Sequence, residues 1–373
     1  MQRFTIAVPD AILADLKTRL ANARYPDEFG NVDWNYGTNL AYLKELCGYW
    51  QSRFDWRKQE ALLNSFAHFT TEIHGRELHF IHQRSKHEHA FPLIIQHGWP
   101  GSVFEFHKIL GPLTDPTAHG GKAEDAFHVV CPSMPGYGWS QAPAEPGFDI
   151  KSVAETEIAL MEKLGYDRYG AQGGDWGAVS TAWMGALAPK GLAGIHMNML
   201  VAYPPAENTL DGVTPEELEK LATFREIQDV LTGYQAIQRT KPQTLGYGLT
   251  DSPVGLAAWI TEKFHAWSDC HGEIESRFTK DELLTNIMIY WATGNITSSL
   301  RLYCETHRSP AGKRGINLDK VELPCGFAVF PVEPYNPPRA WMERTYNVTH
   351  WTVMPKGGHF AALEEPELLV EDI

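Results

Sequence analysis

Three residues in this 373-residue chain stand where they could share one reaction: an aspartate among glycines, a glutamate at the end of an apolar run, and a histidine in a glycine loop. The aspartate is Asp175, in Gly173-Gly174-Asp175-Trp176-Gly177, where a strand-like run breaks into glycines and then turns helical. Gly173 and Gly177 lie two before and two after it, the frame of a strand-to-helix elbow whose crowding demands small flanking residues. Where a serine would make an esterase, a carboxylate instead attacks saturated carbon and leaves an ester that water can later cleave. That chemistry suits epoxides or alkyl halides. By composition alone Gly-Gly-Asp is also an ordinary loop turn, so the surrounding elements must decide.

Glu333 closes Phe330-Pro331-Val332-Glu333, and His359 lies in Gly357-Gly358-His359-Phe360 after the last apolar run. Upstream, the run 91–96 leads into His97-Gly98-Trp99-Pro100-Gly101-Ser102. There the Trp99 N–H could stabilise an oxyanion together with the Trp176 N–H, just after the nucleophile. A Gly-Pro turn between strand and helix would produce the same residues, and 16 histidines make a chance histidine after Gly-Gly common. What separates the readings is the chain order nucleophile, acid, histidine. Asp175, Glu333 and His359, each at a strand end, follow the order of an α/β hydrolase.

The elements needed to hold these residues are legible. Residues 66–73 and 78–82 alternate as a hairpin, 91–96 and 127–132 read as buried parallel strands, and 169–172 feeds the elbow. Helical spacing follows at 154–161 and 178–187, then a strand at 192–198, giving an α/β sheet. The pattern turns helical from about 204 to 317, and strands resume at 324–331 and 348–355. The expected organisation is an N-terminal arm (1–65) wrapping the core, a hydrolase core (66–203 and 318–373), and a helical cap (204–317) over the carboxyl edge of the sheet.

A formal net charge of -14 excludes a nucleic-acid or anionic-membrane surface. The five cysteines form no CxxC pair or metal spacing, and their odd number fits reduced thiols. The opening Met1-Gln2-Arg3-Phe4 shows neither a signal peptide nor an anchor, so a cytoplasmic protein is expected. Its expected partners are a small molecule and water, and a homodimer is one arrangement open to it.

The chain resembles the epoxide hydrolases of the α/β-hydrolase superfamily, of the microsomal and juvenile-hormone type. The resemblance rests on Val8-Pro9-Asp10-Ala11, the His97–Ser102 run, Pro132-Ser133-Met134-Pro135-Gly136-Tyr137-Gly138, the Asp175 motif, Asp251-Ser252-Pro253-Val254-Gly255-Leu256 and Gly357-Gly358-His359-Phe360. It implies two cap tyrosines that hold the epoxide oxygen, at Tyr234 and Tyr303, with Tyr137, Tyr203 and Tyr290 as packing or pocket wall and Tyr247 as a neighbour mistakable for Tyr234. Glu333 stands where many relatives carry aspartate, which the microsomal branch tolerates. No metal or organic cofactor is implied, and detoxification is one role such an enzyme serves. Two alternatives remain at this level: a haloalkane dehalogenase, in which the Trp176 indole would hold the halide, and a hydrolase fold kept only for ligand binding.

Overall fold

The structure, a computed structural model, describes residues 1–205, 207–310, 318 and 320–373. One sheet is built from β1 (Gln2–Arg3), β2 (His68–Ile73), β3 (Arg76–Gln83), β4 (Phe91–Gln96), β5 (Phe127–Pro132), β6 (Tyr169–Gly173), β7 (Leu192–Met197), β8 (Val321–Val329) and β9 (Tyr346–Val353). Their order is β1-β2-β3-β5-β4-β6-β7-β8-β9. β1, β2, β3 and β5 pair antiparallel, and every ladder from β5 to β9 is parallel. The parallel strands are covered on both faces, which explains their unbroken apolar runs. Leu93 and Ile95 of β4 pack into one layer with Val129 and Phe106, while Ile94 and Val130 face the other.

β4 lies between β5 and β6, so successive crossovers leave it toward opposite sides. Such a switch opens a crevice at the carboxyl ends of the strands. Gln96, the last residue of β4, is in register with Gly173, the last of β6. The loop after β4 and the turn after β6 therefore leave the sheet side by side.

The first 65 residues carry α1 (Asp10–Ala21), α2 (Leu40–Ser52) and α3 (Trp56–Leu63). Leu16 and Leu20 of α1 and Leu43, Leu46 and Trp50 of α2 are buried, as their spacing requires. The arm is not helical throughout, because Gln2 and Arg3 pair with Thr70 and Phe69 at the sheet edge. Two residues carry no readable period. Glu60 on α3 ties the arm together: Oε1 accepts from the Val8 N–H at 2.7 Å and the Trp56 indole at 3.0 Å, and Oε2 pairs with Arg57 at 2.6 Å. The arm also reaches beyond the sheet, through Arg19 to Asp251 (2.7 Å), Thr38 to the Ala258 carbonyl (2.6 Å) and Tyr49 to Asp281 (2.8 Å).

On the sheet's flanks lie α4 (Leu110–Thr114), α5 (Ile150–Lys163) and α6 (Trp176–Leu187); between β7 and β8 come α7 (Pro215–Gln238), α8 (Pro242–Asp251), α9 (Pro253–Trp267), α10 (Lys280–Thr293) and α11 (Ile296–Arg308). The expected end of the helical block at 317 falls outside the described residues. Several boundaries differ from the sequence reading. The hairpin begins at His68 because the Phe66 N–H still closes a turn onto the Leu63 carbonyl. β8 begins at Val321 and absorbs Pro324 at a shift of register, where a missing N–H is tolerated. β9 begins at Tyr346, and α6 at Trp176 rather than Ala178.

Replacing Glu60 by alanine leaves the Val8 amide and the Trp56 indole without their acceptor. We expect Glu60→Ala to lose about 2 to 4 kcal/mol of stability in urea unfolding, with Glu60→Gln losing less because it keeps an acceptor. A loss in the alanine variant below about 0.5 kcal/mol would remove Glu60 as the anchor of the arm.

Candidate active site

Asp175 sits between β6 and α6 with φ 50° and ψ -127°, a backbone conformation that a side chain tolerates only when its surroundings enforce it. Space is the enforcing agent. A Cβ on Gly173 would collide with the Gly177 carbonyl, and one on Gly177 would collide with the carbonyl of Gln96 at the end of β4. Only glycines let the first turn of α6 come this close to β4. The turn lifts the Asp175 carboxylate above the sheet edge and leaves the Trp176 N–H among the unpaired donors that begin a helix.

The loop after β4 meets this carboxylate. The Trp99 N–H donates to Asp175 Oδ1 at 2.7 Å, and a side chain on Gly98 would strike Asp175. The loop is pinned from two sides. The Met134 N–H donates to His97 Nε2 at 3.2 Å, so the network assigns the proton to Nδ1, which donates to the Gly98 carbonyl at 3.0 Å. Burial pushes the His97 pKa down to about 4, which keeps the ring neutral as both bonds require. From α10, Asn286 Nδ2 donates to the Pro100 carbonyl and the Tyr290 hydroxyl to the Gly101 carbonyl, both at 2.7 Å.

Glu333 follows β8 and His359 follows β9. His359 Nδ1 faces both Glu333 oxygens at 3.0 Å, and Nε2 lies 3.3 Å from Asp175 Oδ2. The side chains of His359 and Glu333 are nearly inaccessible, at 6% and 3%, against 17% for Asp175. The His359 N–H donates to the carbonyl of Trp267, the last residue of α9, at 2.9 Å. Burial opposes a charged imidazole here, yet the Glu333 carboxylate, and after it Asp175, outweigh burial and hold the His359 pKa well above its ordinary value. Both carboxylates thus favour the protonated ring over the neutral one.

Over Asp175 lies a cleft of about 570 Å³, walled by Trp176, Leu200, Phe224 and Trp341 and open to Tyr234, Tyr303, Glu333 and His359. Tyr234 stacks on Trp99 at 5.2 Å, and Tyr303 meets Trp176 edge-on at 4.8 Å. The two tyrosine rings are 5.8 Å apart. The Trp176 indole N–H makes no hydrogen bond among the described residues, while the Tyr234 hydroxyl accepts from Gln235 at 3.0 Å and interacts with the Tyr303 hydroxyl. Burial raises both phenol pKa values; Asp175 adds to it for Tyr234, and Tyr234 and then Asp175 add to it for Tyr303. Both therefore remain un-ionised donors.

The structure brings Asp175, Glu333, His359, Tyr234, Tyr303, Trp99 and Trp176 around one cleft. Among the competing tyrosines, Tyr137 and Tyr290 are buried packing residues, Tyr203 lines the outer cleft and Tyr247 is exposed. Trp267, whose carbonyl and ring both meet His359, was missed because no motif surrounds it. Glu105, three residues after Ser102 at the start of a short helical turn, was not singled out either, although that spacing is a readable signal.

A carboxylate on such an elbow, paired with a histidine and a second acid across parallel strand ends, defines an α/β hydrolase. The comparisons agree: a family model described as alpha/beta hydrolase fold matches residues 92–224, and one described as Epoxide hydrolase N terminus matches residues 1–106. A protein of Stigmatella aurantiaca, provisionally named an epoxide hydrolase, is 47% identical over 99% of this chain and 83% of its own. Epoxide hydrolase 1 of Oryctolagus cuniculus is 41% identical over 99% of this chain and 87% of its own. The crystal structure of juvenile hormone epoxide hydrolase from Bombyx mori superposes with a TM-score of 0.92 at 33% identity, covering 100% of this chain and 92% of that one. The chain belongs to the epoxide hydrolase family.

If Asp175 helps to hold the proton on His359, neutralising it must lower that affinity. We expect the imidazole midpoint, followed by NMR of labelled histidine, to move to lower pH in Asp175→Asn. An unmoved midpoint would leave Glu333 as the sole source of the shift.

Proposed function

We propose that this enzyme converts an apolar epoxide to a vicinal diol through an alkyl ester on Asp175. The observation that carries the reading is the placement of Asp175 Oδ2 on the cleft, with Oδ1 held by the Trp99 N–H and with two un-ionised phenols lining the same space. Substrate binds beneath a cap formed by residues 204–317, over a core of 66–203 and 318–373 clasped by the arm 1–65. Tyr234 and Tyr303 hydrogen-bond the epoxide oxygen, Asp175 attacks one ring carbon from the opposite side, and a phenol protonates the alkoxide as the ring opens.

Alkylation neutralises Asp175 and so removes one of the two charges that hold the His359 proton. His359, oriented by Glu333, then serves as base: it takes a proton from water as the water oxygen bonds to Asp175 Cγ. The Trp99 and Trp176 N–H groups receive the oxyanion, each typically worth about 3 kcal/mol. The tetrahedral adduct collapses by breaking the bond from Asp175 Cγ to the alkyl oxygen. Over the cycle the original imidazolium proton passes through a phenol to the epoxide oxygen, one water proton goes to the released alkyl oxygen and the other restores the imidazolium, so the account closes without a cofactor. The five free cysteines, all buried, are compatible with a cytoplasmic setting. Among the described residues no helix is long and apolar enough to cross a membrane.

A single turnover in heavy-oxygen water is expected to label Asp175 and leave the first diol unlabelled; label in that diol would exclude the ester. Asp175→Ala is expected to abolish turnover and His359→Gln to trap the ester as a mass adduct on intact protein. Tyr234→Phe and Tyr303→Phe should each slow ester formation about tenfold or more, and together at least about a thousandfold. Full activity in the double variant would show that the phenols do not act on the oxygen.

A further inference from the structure

The two glycines before His359 answer to different constraints. Gly357 has φ 101°, a conformation that side chains rarely adopt, whereas Gly358 has no room for a side chain. A Cβ on Gly358 would lie 2.6 Å from the Trp267 carbonyl oxygen and 3.1 Å from the Asp269 nitrogen. The histidine loop therefore lies directly on the C-terminal end of α9. Its backbone donors run the same way. The Gly357 N–H donates to Asp269 Oδ2, the His359 N–H to the Trp267 carbonyl and the Phe360 N–H to Glu364 Oε1, each at 2.9 Å. The other Glu364 oxygen accepts from the Asp269 N–H at 2.8 Å, which closes a ring of bonds between the loop and the helix end. Asp269 and Glu364 are 5% and 8% exposed, so these bonds are shielded from water. Arg277 steadies Asp269, with Nη2 3.1 Å from Oδ2 and Nε donating to the Asp269 carbonyl at 2.7 Å. Toward the sheet, the Val332 N–H reaches the Gly357 carbonyl at a longer 3.2 Å.

We propose that Asp269 is a positioning residue for ester hydrolysis: with Glu364 it seats the His359 loop on α9, so that the helical block sets where Nε2 stands against Asp175. A buried carboxylate that accepts from both a backbone N–H and an arginine is costly to leave half-satisfied, and that cost resists any slide of the loop along the helix end. α9 ends on Trp267, whose ring centroid lies 5.2 Å from that of Tyr234 and 5.0 Å from that of His359. One helix end thus spaces a phenol that acts on the epoxide oxygen from the base that acts on water. The two steps make unequal demands on it. Asp175 attacks the epoxide while held by the Trp99 N–H, which does not involve the histidine loop. Hydrolysis needs Nε2 at the water proton as the water oxygen bonds to Asp175 Cγ, and a base displaced by about 1 Å loses about a hundredfold in rate.

This inference rests on the ester reading, which the heavy-oxygen label on the wild-type enzyme tests by itself. The deciding experiment is rapid-quench kinetics on the whole enzyme with styrene oxide, following the ester by intact mass and the diol separately, in Asp269→Ala, Asp269→Asn and Gly358→Ala. Asp269→Ala removes the acceptor of the Gly357 N–H, and Asp269→Asn keeps an oxygen for it. Gly358→Ala leaves every carboxylate in place and drives a methyl group against the Trp267 carbonyl. We expect ester formation within about twofold of wild type in all three, and ester hydrolysis slowed about 10- to 100-fold in Asp269→Ala and Gly358→Ala, with a smaller loss in Asp269→Asn. The His359 imidazole midpoint, followed by NMR, should fall in the two stronger variants as the ring leaves Glu333. If Asp269→Ala does not fold, Gly358→Ala and Asp269→Asn decide alone. Hydrolysis at the wild-type rate in Gly358→Ala or Asp269→Ala would overturn the seat on α9, and equal slowing of both steps with an unmoved midpoint would overturn the positioning role of Asp269.

Discussion

The site depends on one close approach between two backbones, that of Gly177 in the first turn of α6 to the carbonyls of Gln96 and His97. Everything reactive is measured from it. Because α6 comes so near β4, Asp175 is forced to φ 50°, and its carboxylate is delivered to the Trp99 N–H rather than to solvent. A residue in such a region costs about 1 to 3 kcal/mol. The offset is visible in the packing of α6, whose Ala178 and Ala182 are wholly buried between the sheet and α5. Strain at the nucleophile is thus a property of the core.

The second organising element is electrostatic. Two carboxylates flanking one imidazole favour its protonated form, and the balance changes when either is lost. In the proposed mechanism, ester formation on Asp175 removes one. The same histidine can therefore carry a proton in the resting enzyme and accept one in the ester without any change of position, since Glu333 holds it through both Nδ1 contacts. Two phenols kept un-ionised by burial complete the set.

How much of this could be read from the chain depends on whether a role leaves a local signature. Asp175 did, because the elbow demands glycines at fixed offsets; so did Trp99, Glu333 and His359, because each lies in the loop that follows a strand. Tyr234 and Tyr303 did not. They lie mid-helix among 14 tyrosines, with no spacing to mark them, and only the family resemblance picked them out. Trp267 meets His359 through tertiary contacts between segments separated by many residues, which no periodicity encodes. β1 escaped for a simpler reason: two residues at a sheet edge cannot display an alternation.

Polar ties from the arm run to Asp251, Ala258, Lys280 and Asp281, at the end of α8, in α9 and at the start of α10. α7 is fastened differently, at its N-terminal turn where Glu217 accepts from the Arg339 N–H at 2.8 Å, and near its far end by the packing of Tyr234. Between these points Leu221, Phe224 and Leu231 face the cleft, and the outer face, including Val230, is bare to solvent. The helical block is like a book whose spine is sewn to the first fifty residues. Its loose page is the middle of α7, so the outer wall of the cleft is the part of the block least tied to the arm.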